Sequence, residues 1–148
     1  MAEAKTNAMR MLERAKIPYE IDGISVARKV GLDPDTVFKT LVTRGASREI
    51  YVFVLPVAKE LDLKKAARSV GEKSIELVKI EEINKLTGYI RGGCSPVGMK
   101  KAYPTVIDAS AQGFPAITVS GGRIGSQVTL SPADLAAISR ATFSDVII

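Results

Sequence analysis

Apolar residues recur along this chain with two periods, one helical and one extended, and the breaks between them divide it into elements. Ala8, Met11, Leu12 and Ala15 fall at offsets 0, 3, 4 and 7, which predicts a helix over 4–17 with one apolar face, stopped by Pro18. Tyr19-Glu20-Ile21 reads as a short strand closed by Asp22-Gly23. Ser25 can cap a brief helix over 25–30 with Gly31 as its stop, and Asp33-Pro34 repeats the signal of a cap followed by proline.

Extended periodicity takes over at Phe38. Residues 38–43 predict a strand, 44–47 a turn, and 50–57 a second strand that is apolar on both faces and rich in β-branched and aromatic residues. That second run is the candidate for the central strand. In the first, alternation puts Lys39 on the side of Leu41, and Thr40 on the side of Val42.

Asp62 caps a predicted helix in which Leu63, Ala66, Ala67 and Val70 repeat the offsets 0, 3, 4 and 7 and which Gly71 ends. Residues 74–78 predict a strand, and 81–87 a short helix with Ile83 and Leu86 inward, stopped by Gly88. Strands are predicted at 105–108 and 116–119, separated by the turn Gly113-Phe114-Pro115. Residues 126–130 alternate polar with apolar, as a half-exposed strand does. Ser131-Pro132-Ala133-Asp134 starts a helix running to about 142, and 146–148 can add a last strand. The expected count is roughly seven strands and four or five helices, with strands in adjacent runs rather than strict βαβ alternation. This favours an α+β fold: a single domain over 1–148 with a curved mixed β-sheet flanked by helices.

Between the helix at 81–87 and the strand at 105–108 lies a stretch with no period. Residues 88–101 hold four glycines and a proline in fourteen positions, so they can be neither helix interior nor central strand. Glycine at this density lets a backbone turn its N–H groups inward as a concave donor surface for an oxygen or an anion. Lys100 and Lys101 follow at once.

Composition narrows the chemistry. The 148 residues contain no histidine and one cysteine. That removes Ser-His-Asp and Cys-His nucleophile systems, His-containing zinc sites and Cys-rich metal sites, so no metal and no cofactor is expected. Cys94 has no histidine to activate it and reads as a small, semi-buried side chain. A single cysteine permits no internal disulfide. No apolar run approaches the length of a membrane span, and the N-terminus lacks a signal-peptide core, which makes the cytoplasm the expected location. The net charge of +5, from 21 Lys and Arg against 16 Asp and Glu, suits a polyanionic partner without demanding one. Arg44, Arg91, Lys100 and Lys101 are candidate phosphate contacts, or simply solvated charges. Lys39 can cover apolar surface with its stem while its amine reaches water, or can line a site.

Three stretches in order, Phe38-Lys39-Thr40-Leu41, the loop Gly92 to Pro96, and Ser120-Gly121-Gly122-Arg123-Ile124-Gly125, resemble the YbaK/ProX family of aminoacyl-tRNA deacylases and the related editing domain of bacterial prolyl-tRNA synthetases. The last stretch sits between two predicted strands and opens no helix, so it is not a dinucleotide loop. The resemblance implies a partly barrel-like mixed sheet and hydrolysis of mischarged tRNA, with Cys-tRNA(Pro) foremost. Alanine or another small amino acid is the alternative, as is a pocket that binds a nucleotide or tRNA end without turnover. It assigns the electrostatic role to Lys39 and backbone donation to Gly92 and Gly93. Tyr19, Phe38, Thr40, Cys94, Ser95, Pro96, Ser120, Gly121, Gly122 and Arg123 are then expected at the substrate. Implied partners are aminoacyl-tRNA and prolyl-tRNA synthetase, and the implied state is a monomer or weak homodimer. Against the family pattern, the segment from Asp22 to Ser25 is abbreviated, and Gln127 stands near where relatives carry an acidic residue.

Overall fold

The computed structural model describes residues 5–22 and 34–148. The helix expected over 25–30 and the cap at Asp33 lie outside those residues. Helix α1 spans Asn7–Arg14; the Thr6 side chain accepts from the Met9 N–H, so the helix starts three residues later than its apolar spacing suggested. Strand β1 is Glu20–Asp22, and a single 3-10 turn at Pro34–Thr36 leads into β2, Phe38–Gly45, and β3, Ile50–Pro56. Helix α2, Leu63–Val70, starts at the Asp62 cap, whose carboxylate accepts from Lys64 and Lys65 N–H, and stops at Gly71 in the left-handed region. Strand β4, Ile75–Leu77, and helix α3, Ile80–Thr87, precede the glycine-rich loop.

Strand β5, Thr105–Asp108, follows the loop, and a 3-10 helix at Ala109–Gly113 leads to β6, Ile117–Arg123, and β7, Ser126–Leu130. Helix α4, Pro132–Ser139, is capped by Ser131 and ends where Arg140 turns left-handed, with φ 56°. The expected continuation to 142 is therefore wrong. Thr142 and Phe143, a β-branched and an aromatic residue, instead join β8, Thr142–Ser144, which pairs in parallel with β5 and covers its edge. The strand expected at 146–148 reduces to one isolated bridge between Ile147 and Leu61.

The strands form a five-stranded sheet in the order β4-β2-β3-β5-β8 and a three-stranded sheet in the order β1-β7-β6. A parallel bridge between Val37 and Thr118 joins the two into one curved surface. Strand β3 is central, as its apolar run on both faces required. Val54 looks into a core with Ala8, Met9 and Leu12 of α1, Val119, Val128 and Leu135 of α4. Phe53 and Leu55 look the other way, toward Ala66 and Ala67 of α2. Each fully buried side chain of this kind contributes about 1.5–3 kcal/mol, so β3 anchors both layers. The mixed α+β architecture expected from the sequence is the one observed. No helix among the described residues is long and apolar enough to cross a membrane.

Candidate functional site

Where the two sheets meet, one face of the surface turns polar. Two residues beyond the bridge, Lys39 on β2 and Ser120 on β6 occupy matching positions on the face opposite the α1 core. The antiparallel ladders extend that row: Ser120 pairs with Gln127, and Gln127 with the position of Asp22. The row behind it carries Thr118 and Thr129, whose hydroxyls lie 2.7 Å apart, and Glu20 opposite Thr129. Alternation had marked 126–130 as half-exposed, which made the polar face of β7 legible. Nothing in the sequence said that it would extend Lys39 and Ser120.

Lys39 is half-buried and makes no ion pair or hydrogen bond among the described residues. Beside it the strand ladder has a gap. On that edge of β2, β6 touches only at Val37, and β4 pairs from Thr43 onward. Thr40 falls in the gap, and its Oγ1 is buried with no hydrogen-bond partner among the described residues. A buried hydroxyl in that state costs about 1–3 kcal/mol unless water or a ligand meets it. Thr40 pairs with Val54, so its hydroxyl lies on the same face as Phe38, toward the α1 core and away from Lys39, and Phe38 can act on a ligand only by shaping the strand.

The glycine-rich loop is clamped to the β6–β7 hairpin. A Cβ on Gly93 would stand 2.8 Å from Arg123 Cα and 2.9 Å from Ile124 N, so only glycine allows this backbone-on-backbone approach. Gly92 adopts φ 88°, with Ile124 lying on it. The hairpin itself is held from below: the Thr6 hydroxyl donates to the Gly121 carbonyl. Gly121 and Gly122 stay within β6 around an irregularity between Ser120 and Arg123, so the expected turn shrinks to a two-residue tip, Ile124-Gly125.

The second half of the loop turns inward. Cys94 packs with Val42, Ile50, Val78 and Tyr89, and burial pushes its thiol up to about 11. It is protonated at neutral pH, consistent with a small packing side chain. Ser95 is fully buried and its Oγ accepts from the Val97 N–H at 3.2 Å. Tyr89 donates to the Val97 carbonyl at 2.7 Å and Asn7 to the Gly98 carbonyl at 2.7 Å, which ties the loop to α1. Pro96, also buried, fixes the chain between these anchors.

The remaining candidates separate. Tyr19 donates to Glu13 of α1 at 2.5 Å, and burial together with that bond pushes its phenol up to about 12. Arg44 pairs with Glu82 of α3 at 2.9 Å, which turns its guanidinium to α3 and away from Lys39. Arg91, Lys100 and Lys101 are exposed on the loop. Lys101 also borders a groove of about 500 Å³ between α1, the loop and the end of α4, lined by Met11, Met99 and Ile138. That groove contains neither Lys39 nor Ser120. The polar face is the better site, because burial alone supplies no chemistry.

A family profile for the aminoacyl-tRNA editing domain matches residues 23–138. The chain is 41% identical to the Enterococcus faecalis protein EbsC, a candidate Cys-tRNA(Pro)/Cys-tRNA(Cys) deacylase, over 97% of this chain and 94% of that one. It superposes on the crystal structure of a candidate trans-editing enzyme for prolyl-tRNA synthetase with TM-score 0.83 at 26% identity, covering 99% of each chain. A hypothetical protein of known structure shares the fold with TM-score 0.88 at 21% identity, over 97% of this chain and 100% of that one.

Proposed function

The chain belongs to the aminoacyl-tRNA editing-domain family, and on that premise we propose that it hydrolyses the ester between a wrong amino acid and its tRNA, Cys-tRNA(Pro) first among substrates. The observation that carries this reading is Lys39. It is a half-buried cation with no protein counter-charge among the described residues, level with Ser120 on the face opposite the α1 core. A site that keeps a cation unpaired on an otherwise well-packed strand is complementary to a ligand that brings negative charge, either phosphate or the oxygen of a developing tetrahedral intermediate.

The chemistry asks little of acid–base groups. An aminoacyl ester is activated and its leaving group is a ribose hydroxyl, so positioning, backbone donors and one cation suffice without histidine, although the Gly93 N–H, bonded to the Ile90 carbonyl, is not one of those donors. Water is the nucleophile for a general substrate; a cysteinyl ester also brings its own thiol. Cys94 takes no part, because a protonated, enclosed thiol is a poor nucleophile. Editing of this kind is needed because a methylene distinguishes side chains by only about 1–3 kcal/mol in binding. The physiological setting consistent with this reading is the cytoplasm, alongside prolyl-tRNA synthetase.

A panel of mischarged tRNAs tests the proposal. Protein-dependent release of amino acid from Cys-tRNA(Pro), faster than from Ala-tRNA(Pro) and from correctly charged Pro-tRNA(Pro), is the expected result. Saturable binding with no release from any member would replace the enzyme by a binding module. Binding should also weaken steeply with salt, since the partner is a polyanion and the loop cations are exposed.

A further inference from the structure

The tip of the β6–β7 hairpin carries a residue that its turn does not want. Arg123 pairs with Ser126, leaving Ile124 and Gly125 as a two-residue connection with Gly125 at φ 81°. Such a turn favours proline or a small polar residue at the first position, yet Ile124 is there, 66% exposed. The tip is not loose. Gly93 lies so close to Arg123 and Ile124 that the hairpin and the glycine-rich loop form one rigid rim, and Ile124 rests on Gly92. In the adjoining turn of the glycine-rich loop, closed by the Gly93 N–H on the Ile90 carbonyl, Ile90 is 51% exposed. Arg91 follows Ile90 in that turn and is exposed.

We propose that Ile90 and Ile124 form an apolar rest for the unpaired nucleotides just behind the esterified end of the tRNA, with Arg91 on their phosphate. The inference rests on the deacylase reading and adds the part of the substrate that this rim holds. Position and chemistry carry it. Strand β6 leads from Ser120 through the irregularity at Gly121 and Gly122 to the tip at Ile124, so a strand whose reacting ester lies at Ser120 and Lys39 has a path across the rim. At no more than about 3.3 Å per residue the rim lies within roughly 13 Å of the site, in reach of the single-stranded end and short of the acceptor helix. Two exposed aliphatic side chains and the Arg91 guanidinium in the same rim complement an unstacked base face and its phosphate, and aliphatic contact reads no base edge.

Binding can be read without turnover. An uncharged tRNA and the same tRNA trimmed of its unpaired 3′ nucleotides are titrated against the wild type and the Ile90→Ala/Ile124→Ala variant at fixed salt. Trimming should weaken the wild type about tenfold and leave the variant unmoved to within about twofold, with intact tRNA binding the variant as trimmed tRNA binds the wild type. Equal losses on trimming in both proteins overturn the rest, as does no loss in either. Hydrolysis adds a second arm: the variant should raise KM for mischarged tRNA and leave cleavage of the bare aminoacyl-adenosine ester unchanged. A variant slowed equally on both substrates has lost shape at the site and also overturns the proposal. A wild type that binds tRNA through its 3′ end but cleaves neither substrate refutes the deacylase reading and leaves the rest standing.

Discussion

Strand β2 carries polar side chains at both of its ends, and the two ends treat them differently. At the Gly45 end each has a protein partner. Thr43 donates to the Tyr51 carbonyl at 2.9 Å, and Arg44 pairs with Glu82. Just beyond, Glu72 accepts from Ser47 and from the Tyr51 hydroxyl, and those bonds hold its carboxyl below the usual carboxylate range. At the Phe38 end, Lys39 and the Thr40 hydroxyl have no partner among the described residues. Both ends belong to one strand in one sheet, so local propensity cannot explain the difference. The satisfied end needs no ligand to meet its polar groups, whereas the open end leaves the Lys39 ammonium on one face and the Thr40 hydroxyl on the other without a protein partner among the described residues.

Removing the charge at the open end should produce the largest effect on activity. Lys39→Ala is expected to lower single-turnover hydrolysis of Cys-tRNA(Pro) by at least about a hundredfold, the 2–4 kcal/mol typical of one electrostatic contact to a developing oxyanion. The melting temperature should stay within about 2 °C, because no protein contact of the ammonium is lost. Lys39→Arg should not restore the rate, since a planar fork does not replace a compact ammonium. Substantial activity in the alanine variant, or a collapse in stability, would erase the distinction between the two ends.

The clamp between loop and hairpin comes next. Gly93→Ala must push backbone away from backbone at Arg123 and Ile124, which no rotamer change can relieve. A loss of about 1–3 kcal/mol by thermal or urea unfolding is expected, accompanied by a fall in hydrolysis as the loop leaves the hairpin. An alanine variant as stable and active as the wild type would show that the close approach is unimportant.

At the satisfied end the expected effect is structural and small. Glu82→Gln should lower the melting temperature at neutral pH by less than Gly93→Ala does and leave hydrolysis unchanged. The pH dependence has a definite sign. Hydrogen bonds from Arg44 and from the Lys79 backbone N–H hold the Glu82 carboxyl below its ordinary value. Its contribution is therefore present above the unfolded carboxylate pKa, near about 4.3, and is lost as pH falls through the lower folded value. In the Gln variant that part of the acid loss should vanish. A fall in catalysis instead would mean that the pair also serves the site.

The smallest effect is expected at Cys94. Cys94→Ser should change hydrolysis by less than about threefold, and the wild-type thiol should react slowly with iodoacetamide at pH 7, because burial holds it protonated. A thousandfold loss in a folded serine variant would restore covalent catalysis.

Much of this could be read in advance, and the exceptions share a cause. Helices α1 and α2 followed from the spacing of Ala8, Met11, Leu12 and of Leu63, Ala66, Ala67, since a cap and an apolar stripe are local properties. The failures came where a distant partner decided. Residues 142–144 left α4 because β5 offered an open edge, and Gly121 and Gly122 remained in β6 because β7 pairs with Ser120 and Arg123 on either side of them. The candidate site divides the same way. Lys39 and the glycine-rich loop stood out by composition, but Tyr19 and Arg44 proved to be bonded to Glu13 and Glu82, neither adjacent in sequence.

By itself the sequence determined the element types, the central place of β3, the exclusion of histidine chemistry and the few residues able to carry a charge at a site. Those follow from side-chain periodicity and composition, which need no knowledge of what lies across a sheet. Only the tertiary structure decided that β2 and β6 close at Val37 and Thr118, which sets Lys39 level with Ser120, that Gly93 lies on Arg123, and that, among the described residues, Arg44 is paired while Lys39 is not. The bridge from Val37 to Thr118 joins residues 81 positions apart, and no local signal encodes which strand edges close upon each other. That choice belongs to the packing of the two sheets around one core, where a shift of a single residue would have turned Lys39 inward.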